Sequence, residues 1–320
     1  MTKVYKLRFL VQSMSFAVLT YGGRLGLRLG HCLPCFTCPY VGSCSGHCYL
    51  MALQRSQWGF QISFAEAISV WGLRALGMFA GFFLLTIIFS KAWCGWICPF
   101  GTLQDWITFL RKKLGIRESQ FSWTLRDRLK PIKYILLIFL IVIPILIGNA
   151  GLHSDFGLPF CQICPAKKLM PIFAGNFRYF AVDISNPITA FMSIVSLILT
   201  AFFFVGMFFK DRFFCLFCPL LALISLFEKF GFLGLEKKVD ACTGCGNCQR
   251  VCPLNIREVH LEKKKKNVLT QDCILCLRCV ESCPQAKVLS LKFFKNTIFS
   301  SSKDYISKRF IKKKRENLCN

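Results

Sequence analysis

Four stretches of the chain are almost continuously apolar, and polar or basic segments separate them. They cover residues 9–22, 64–90, 132–150 and 188–209. A run of about 20 apolar residues is long enough to cross the hydrocarbon core of a membrane as a helix. The first run is shorter than that, and basic residues flank it. The pattern predicts an all-α membrane domain over residues 1–234, with about four transmembrane helices.

A cysteine-rich segment follows the last apolar stretch. It reads C-T-G-C-G-N-C-Q-R-V-C-P at 242–253 and C-I-L-C-L-R-C-V-E-S-C-P at 273–284. Each string is a C-x2-C-x2-C-x3-C-P run, in which three cysteines hold one 4Fe–4S cluster and the fourth ligates the other cluster. We expect a bacterial-type two-cluster ferredoxin domain of the α+β class at 235–291, followed by a basic tail at 292–320.

The crossed arrangement of these runs predicts two ligand sets. The first cluster is assigned to Cys242, Cys245, Cys248 and Cys283. The second cluster is assigned to Cys273, Cys276, Cys279 and Cys252. Pairs of the C-x2-C type also bind zinc, so two zinc sites are the alternative. Two complete runs, each closed by Cys-Pro, favour iron. Gly244 and Gly246 would let the backbone fold closely over the sulfurs.

The composition agrees with a membrane protein, because 54% of the 320 residues are hydrophobic. The formal net charge of +25 would suit a nucleic-acid-binding protein. The charge is better explained by the anionic lipid headgroups of the cytoplasmic membrane face, where Lys and Arg concentrate. We therefore expect membrane lipid as a partner and no nucleic acid.

The basic residues also predict an orientation. Residues 91–130 carry eight Lys or Arg and residues 210–320 carry twenty-two, whereas the loops between spans one and two and between spans three and four carry three each. Basic loops stay in the cytoplasm. We expect a multi-pass protein of the cell membrane, with both termini and the ferredoxin domain on the cytoplasmic side.

The remaining cysteines can be sorted by their predicted side of the membrane. The inner set, which is sufficient for one further 4Fe–4S cluster, is Cys94, Cys98, Cys215 and Cys218. Two reducible cysteine pairs are the alternative. The outer set, a candidate for a fourth cluster, is Cys32, Cys35, Cys38, Cys161 and Cys164. There the alternative is disulfides, since the outer side of a bacterial membrane is oxidising.

Several strings in combination resemble the NapH family of polytopic iron–sulfur proteins, which is related to the membrane core of NosR-type proteins. They are W-C-G-W-I-C-P-F-G-T-L-Q-D-W at 93–106 and C-x2-C-P-L-L-A-L at 215–223, together with four spans and a C-terminal ferredoxin. The resemblance implies electron transfer between the quinone pool and a partner reductase, through Cys94 and Cys98 and through Cys215 and Cys218. The second motif is C-x2-C where the family pattern is C-x3-C.

These observations predict a membrane-bound electron-transfer protein of the quinol-dehydrogenase type. Its expected cofactors are two 4Fe–4S clusters in the ferredoxin domain, one or two further clusters, and a quinone. Its expected partners are quinone or quinol and a protein redox partner or reductase complex; no catalytic residue is assigned. The alternative is a maturation or redox-sensing factor for a respiratory enzyme, in which the outer cysteines would handle a metal or exchange disulfides.

Overall fold

The computed structural model of the chain describes residues 3–27, 37–44, 48–58, 70–116, 118–119, 122–149 and 158–302. The chain divides into two compact units. The first, here called the helical unit, comprises Gln12–Leu85 and Ile97–Leu223. The second, the sheet-containing unit, comprises Met1–Val11, Thr86–Trp96 and Ile224–Asn320. The predicted domain boundary at residue 235 stays a prediction.

Helices make up most of the described chain. They are α1 (Lys3–Tyr21), α2 (Tyr49–Trp58), α3 (Val70–Phe89), α4 (Ala92–Trp96), α5 (Pro99–Lys113), α6 (Trp123–Leu129), α7 (Ile132–Asn149), α8 (Pro159–Ile163), α9 (Pro165–Leu169), α10 (Pro187–Phe209), α11 (Pro219–Leu226), α12 (Asn247–Arg250), α13 (Glu258–Leu261) and α14 (Arg278–Glu281). The strands are β1 (Leu233–Lys237), β2 (Leu289–Phe293) and β3 (Asn296–Ser300).

The four predicted apolar stretches correspond to α1, α3, α7 and α10, so their helical character is confirmed. Residues 64–69 and 150 of the predicted spans lie outside the described residues. Within the described residues, one helix, α10, is long and apolar enough to cross a membrane, and Leu76–Phe89 forms a shorter apolar helix. The count of four membrane spans stays a prediction.

An apolar core positions several cysteines of the helical unit. Its buried residues are Phe16, Val41, Phe100, Leu169, Met170, Met207 and Phe213. Cys38, Cys44 and Cys98 are partly buried and pack against this core. Full burial of a large apolar side chain stabilises a fold by about 1.5–3 kcal/mol. The cysteine-bearing segments are therefore fixed by the same packing that stabilises the unit.

Cys-Pro pairs start several elements of the helical unit. Cys98 and Cys164 are the N-cap residues of α5 and α9, and Cys38 precedes a 3₁₀ turn at Pro39–Val41. Proline suits a first helical position, because its fixed φ is already helical and its missing N–H has no helical partner there. Each of these pairs places a thiol at the entrance of a helical turn, where free backbone N–H groups can reach its sulfur.

The sheet-containing unit combines short helices with an antiparallel sheet of order β1-β2-β3, which is the predicted α+β class. Leu235 of β1 pairs with Leu291 of β2. Lys237, at the end of β1, is buried, and its Nζ donates to the carbonyl oxygens of Val259, His260 and Glu262 at 3.0, 2.9 and 2.8 Å. This lysine ties the sheet to α13.

Residues 86–96 of the sheet-containing unit contact the segment that contains Cys273 and Cys276. The buried Lys91 Nζ donates to Glu228 and to the carbonyl oxygen of Thr270, both at 2.6 Å. Trp96 Nε1 donates to the carbonyl oxygen of Leu275 at 3.0 Å. A Cβ atom at Gly95 would lie 2.2 Å from the carbonyl oxygen of Ile274. The glycine of the W-C-G-W string is required by this close approach.

We predict that Gly95→Ala destabilises the unit by about 1–3 kcal/mol, the usual cost of overpacking, because the atom it meets belongs to a backbone that cannot rotate away. Gly234→Ala is the matched control, since a Cβ there meets nothing within 4 Å. Thermal unfolding of both variants, purified anaerobically, measures the difference. Equal unfolding temperatures would contradict the close approach.

Candidate iron–sulfur sites

One cavity of the sheet-containing unit is lined by Cys242, Cys245, Cys248 and Cys283. Burial raises the pKa of Cys283, and the nearby Cys245 and Cys242 add to the shift. Cys283 comes from the second cysteine run and the other three come from the first. The structure therefore brings together the four residues that the crossed arrangement predicts for the first cluster, and their ligation of iron stays a prediction.

A second cavity is lined by Cys252, Cys273, Cys276 and Cys279, and Cys248 borders it as well. Burial, together with the nearby Cys276 and Cys252, raises the pKa of Cys273 to about 12. A protonated thiol must lose its proton before it can bind iron, so cluster insertion here releases protons. This grouping matches the set predicted for the second cluster.

The two cysteine runs share an unusual backbone. Gly244 and Gly246 have φ values of 65° and 71°, and Leu275 and Leu277 occupy the same places in the second run with φ values of 48° and 60°. Left-handed φ is costly for a residue with a side chain, by about 1–2 kcal/mol each. Both leucines are buried. The apolar contacts that they gain offset the strain, so the second loop keeps the same path without glycine.

In the helical unit, three predicted inner-side cysteines lie together, and we call them the Cys98 site: Cys98, Cys215 and Cys218. Burial, together with the nearby Cys215, raises the pKa of Cys98 to about 11, although the amide hydrogen bond from Gly101 lowers it. Burial also raises the pKa of Cys218, with added effects from Cys215 and Cys98. Cys94 belongs to the sheet-containing unit. Its role as the fourth ligand stays a prediction from its spacing to Cys98.

Two buried side chains hold Cys215 in place. Gln104 Nε2 donates to Cys215 Sγ at 3.6 Å, and Gln104 Oε1 accepts from the amide of Phe214 at 3.0 Å. Arg212 donates a side-chain hydrogen bond to Cys215. It also binds both carboxylate oxygens of Asp105, at 3.1 and 2.5 Å. A cation beside a sulfur favours extra negative charge there, which is what a reduced cluster carries.

A second thiol group of the helical unit, here called the Cys164 site, consists of Cys38, Cys48, Cys161 and Cys164. Burial raises the pKa of Cys38, and Cys164, Cys48 and Cys161 are close enough to raise it further. Burial raises the pKa of Cys164 to about 11, and Cys48 is again among the causes. Cys38, Cys161 and Cys164 belong to the predicted outer set, whereas Cys32 and Cys35 lie outside the described residues.

None of the described cysteines forms a disulfide with another described cysteine. Among the described residues, no group of three or more His, Cys, Asp or Glu side chains converges on the position of one metal ion. This also holds for the cysteines that line the two ferredoxin cavities. A 4Fe–4S cube binds each thiolate through a different iron, so its sulfurs stand further apart than those around a single ion.

Sequence reasoning placed Cys48 on the outer side without assigning it as a ligand, and it assigned no role to Gln54, Gln104 and Arg212. Cys48 carries no Cys-Pro signal, and the two glutamines lie on apparently ordinary helix positions. One signal was available, because C-x3-C-x4-L-Q occurs at Cys44–Gln54 and again at Cys94–Gln104. This repeat would have indicated both glutamines and Cys48.

Two protein families match the chain. The family described as a 4Fe-4S binding domain matches residues 71–117 and 192–235, which contain Cys94, Cys98, Cys215 and Cys218. The family described as a 4Fe-4S dicluster domain matches residues 235–284, which contain all eight ferredoxin-type cysteines. These matches confirm the prediction of an iron–sulfur protein. No solved structure matches the chain.

Several curated proteins are similar. The putative electron transport protein YccM of Escherichia coli is 29% identical over 221 residues, or 69% of this chain and 56% of YccM. The ferredoxin-type protein NapH of Haemophilus influenzae is 26% identical over 62% of this chain and 61% of NapH. The regulatory protein NosR of Pseudomonas aeruginosa is 26% identical over 58% of this chain and 22% of NosR. The chain thus spans about half the length of YccM.

We predict that Cys283→Ser removes the same cluster as Cys245→Ser, and that Cys252→Ser removes the same cluster as Cys276→Ser. The reason is the crossed lining of the two cavities. The EPR spectrum of each reduced variant, purified anaerobically, measures which signal remains. Identical remaining spectra for Cys283→Ser and Cys276→Ser would contradict the crossed sets.

We predict that loss of the Arg212 guanidinium lowers the reduction potential of a cluster at the Cys98 site by roughly 60 mV, which corresponds to about 1.4 kcal/mol for one electron. Arg212→Gln is combined with Asp105→Asn, so that no buried carboxylate is left unpaired. Redox-titrated EPR measures the potential. Lys112→Gln removes the same charge from an exposed position of α5 and should leave the potential unchanged. Asp105→Asn alone gives the opposing effect of the carboxylate, so a double variant with the same potential as Asp105→Asn would exclude this role of Arg212.

Proposed function

We propose that the chain, which is similar to NapH and NosR and matches two 4Fe-4S families, is a membrane-bound electron carrier of the quinol-dehydrogenase type. It passes electrons between the quinone pool and a protein redox partner through 4Fe–4S clusters. The name of the relative YccM, a putative electron transport protein, agrees with this proposal.

The observation that carries the proposal is the distribution of the thiols. The sheet-containing unit has two cysteine-lined cavities, and the helical unit has the Cys98 site within the matched 4Fe-4S binding domain. A carrier needs several one-electron centres, because a quinone takes up two electrons and two protons and each centre supplies one electron at a time. The protein sets the potential of each centre through sulfur hydrogen bonds, charge and burial.

The chain's own residues supply these controls at the Cys98 site. The amides of Gly101 and Phe100 donate to Cys98, and those of Leu221 and Leu220 donate to Cys218. Arg212 adds a positive charge beside Cys215. A 4Fe–4S cluster bound there would supply one-electron chemistry, with Cys94 as its fourth ligand. Hydrogen bonds and a cation at its sulfurs would favour its reduced state.

The membrane location rests on the apolar helices. α10 has 23 residues, and its most apolar 18-residue stretch has a mean hydropathy of 2.4 and is only 17% buried within the protein. Phe191, Ile198 and Phe202 of α10 are more than half exposed, as are Ile138 and Phe139 of α7. Apolar side chains exposed on this scale suit contact with lipid. We propose that α1, α3, α7 and α10 all span the membrane, with both chain termini in the cytoplasm.

We predict that reporter fusions after Lys113, at the end of α5, and after Leu291, in β2, both report a cytoplasmic location. The physical reason is the excess of Lys and Arg in residues 91–130 and from residue 210 onwards. An external signal at either fusion would show that a span was miscounted.

Quinone chemistry tests the function directly. The full chain, purified anaerobically in lipid nanodiscs and reduced with dithionite, should be reoxidised by a short-chain quinone, as followed by the EPR signals. In Cys218→Ser, quinone reoxidation should slow at least tenfold, while oxidation of the ferredoxin signals by ferricyanide stays unchanged. Clusters that ferricyanide oxidises and quinone does not, already in the unmodified chain, would exclude the quinone-linked function and favour the maturation or redox-sensing alternative.

A further inference from the structure

The Cys98 and Cys164 sites are built from the same sequence elements. The string C-x3-C-x4-L-Q occurs at Cys44–Gln54 and at Cys94–Gln104, and the string F-C-x2-C-P occurs at Phe160–Pro165 and at Phe214–Pro219. In this register Cys48 corresponds to Cys98. Both families that match the chain leave the first copy of each string outside their matched residues.

The repeat extends to individual hydrogen bonds. Gln54 Nε2 donates to Cys161 Sγ at 3.5 Å, and Gln54 Oε1 accepts from the amide of Phe160 at 3.2 Å. Gln54 Nε2 also donates to the carbonyl oxygen of Leu50 at 3.1 Å. Gln54 is fully buried.

Gln104 makes the same three contacts at the Cys98 site. Its partners are Cys215 Sγ at 3.6 Å, the amide of Phe214 at 3.0 Å and the carbonyl oxygen of Phe100 at 3.4 Å. Gln104 is also buried. Three matching contacts by a buried amide in each copy indicate two versions of one local structure, because a buried amide without such partners costs several kcal/mol.

We propose that Cys38, Cys48, Cys161 and Cys164 form a second thiolate site of the helical unit that holds a 4Fe–4S cluster. The proposal rests on the proposed function in one respect, which is that the Cys98 site also holds such a cluster. Thiolates are the ligands that iron–sulfur clusters take. The four thiols come from three separated segments of the helical unit, and no other role for their convergence follows from the core packing.

The surroundings of the four sulfurs agree with a negatively charged group. Amides donate to three of them: Tyr40 to Cys38, Leu50 and Met51 to Cys48, and Ala166 and Lys167 to Cys164. The fourth sulfur, that of Cys161, accepts a hydrogen bond from the Gln54 side chain.

A cation completes these surroundings. Lys167 Nζ lies 4.9 Å from the centre of the Tyr40 ring. Burial lowers the pKa of Lys167, and Cys161, Cys38 and Cys164 are near enough to oppose that shift. Lys167 therefore supplies a positive charge at this site, as Arg212 does at the Cys98 site, but from a different position of the repeat.

The fourth ligand is assigned to Cys38 and not to Cys44. The repeat aligns Cys44 with Cys94, but Cys38 is the residue whose charge interacts with Cys164, Cys48 and Cys161. Cys38 also has the Cys-Pro sequence of the other helix-starting cysteines. Cys44 is consequently the matched control in the same loop.

The test is the iron and sulfide content of the full chain after anaerobic purification and reconstitution with iron and sulfide. Cys38→Ser, Cys48→Ser and Cys164→Ser should each lose about four irons and one EPR component, because a 4Fe–4S cluster requires all its thiolates. Cys44→Ser should keep the full content. Unchanged iron in Cys48→Ser and Cys164→Ser, zinc in place of iron, or a mapped disulfide among the four would overturn the proposal. Loss in Cys44→Ser with retention in Cys38→Ser would overturn the ligand assignment.

A second pair of variants covers the case in which the serine variants fail to fold. Gln54→Leu and Gln104→Leu keep all thiols and remove one N–H···S bond at one site each. Each should keep its iron and shift the midpoint potential of a different EPR component. A shift of the same component by both variants would show a single cluster in the helical unit and would overturn the second site. Cys218→Ser should remove only the EPR component that Gln104→Leu shifts. If it does so while Cys48→Ser and Cys164→Ser keep their iron, the second site is wrong and the proposed function is unaffected.

Discussion

The buried ion pair between Arg212 and Asp105 is the contact on which the Cys98 site depends. Asp105 lies on α5 and also accepts a hydrogen bond from Gln12 of α1 at 2.8 Å, while Arg212 adopts a left-handed φ of 55° just before Cys215. Removal of one partner from such a pair costs about 3–5 kcal/mol, because the other charge is left buried and alone. The pair therefore fixes the segments that carry Cys98 and Cys215 against one another.

Other buried polar side chains of the protein also fix distant segments of the chain through hydrogen bonds. Gln54 and Gln104 each bind a backbone amide and a cysteine sulfur from a segment about 100 residues away. In the sheet-containing unit, Lys91 and Lys237 are buried and donate to backbone carbonyl groups. Since an unpaired polar group in an apolar interior is unfavourable, each set of partners has few alternatives. The thiols are thus held in position by polar contacts of the protein's own side chains and backbone.

The two ferredoxin runs show how different residues can produce the same loop. Glycine reaches the left-handed conformation at Gly244 and Gly246 without strain, whereas Leu275 and Leu277 reach it at a cost and are held by burial. The second loop also accepts a hydrogen bond from Trp96 and approaches Gly95 closely. In the second loop, packing contacts offset the backbone strain that glycine avoids in the first loop.

Cysteine spacing and apolar run length were sufficient to predict the iron–sulfur character and the helices, because these features follow from the residue pattern within a few turns of chain. The sequence also indicated Cys98, Cys215 and Cys218 through Cys-Pro pairs. It did not indicate that Cys48 joins Cys38, Cys161 and Cys164, or that Gln104 and Arg212 hold Cys215. Several of those contacts join residues more than 100 positions apart. The C-x3-C-x4-L-Q repeat marks Cys48 and the two glutamines, but which donor meets which sulfur is decided only when the helices pack.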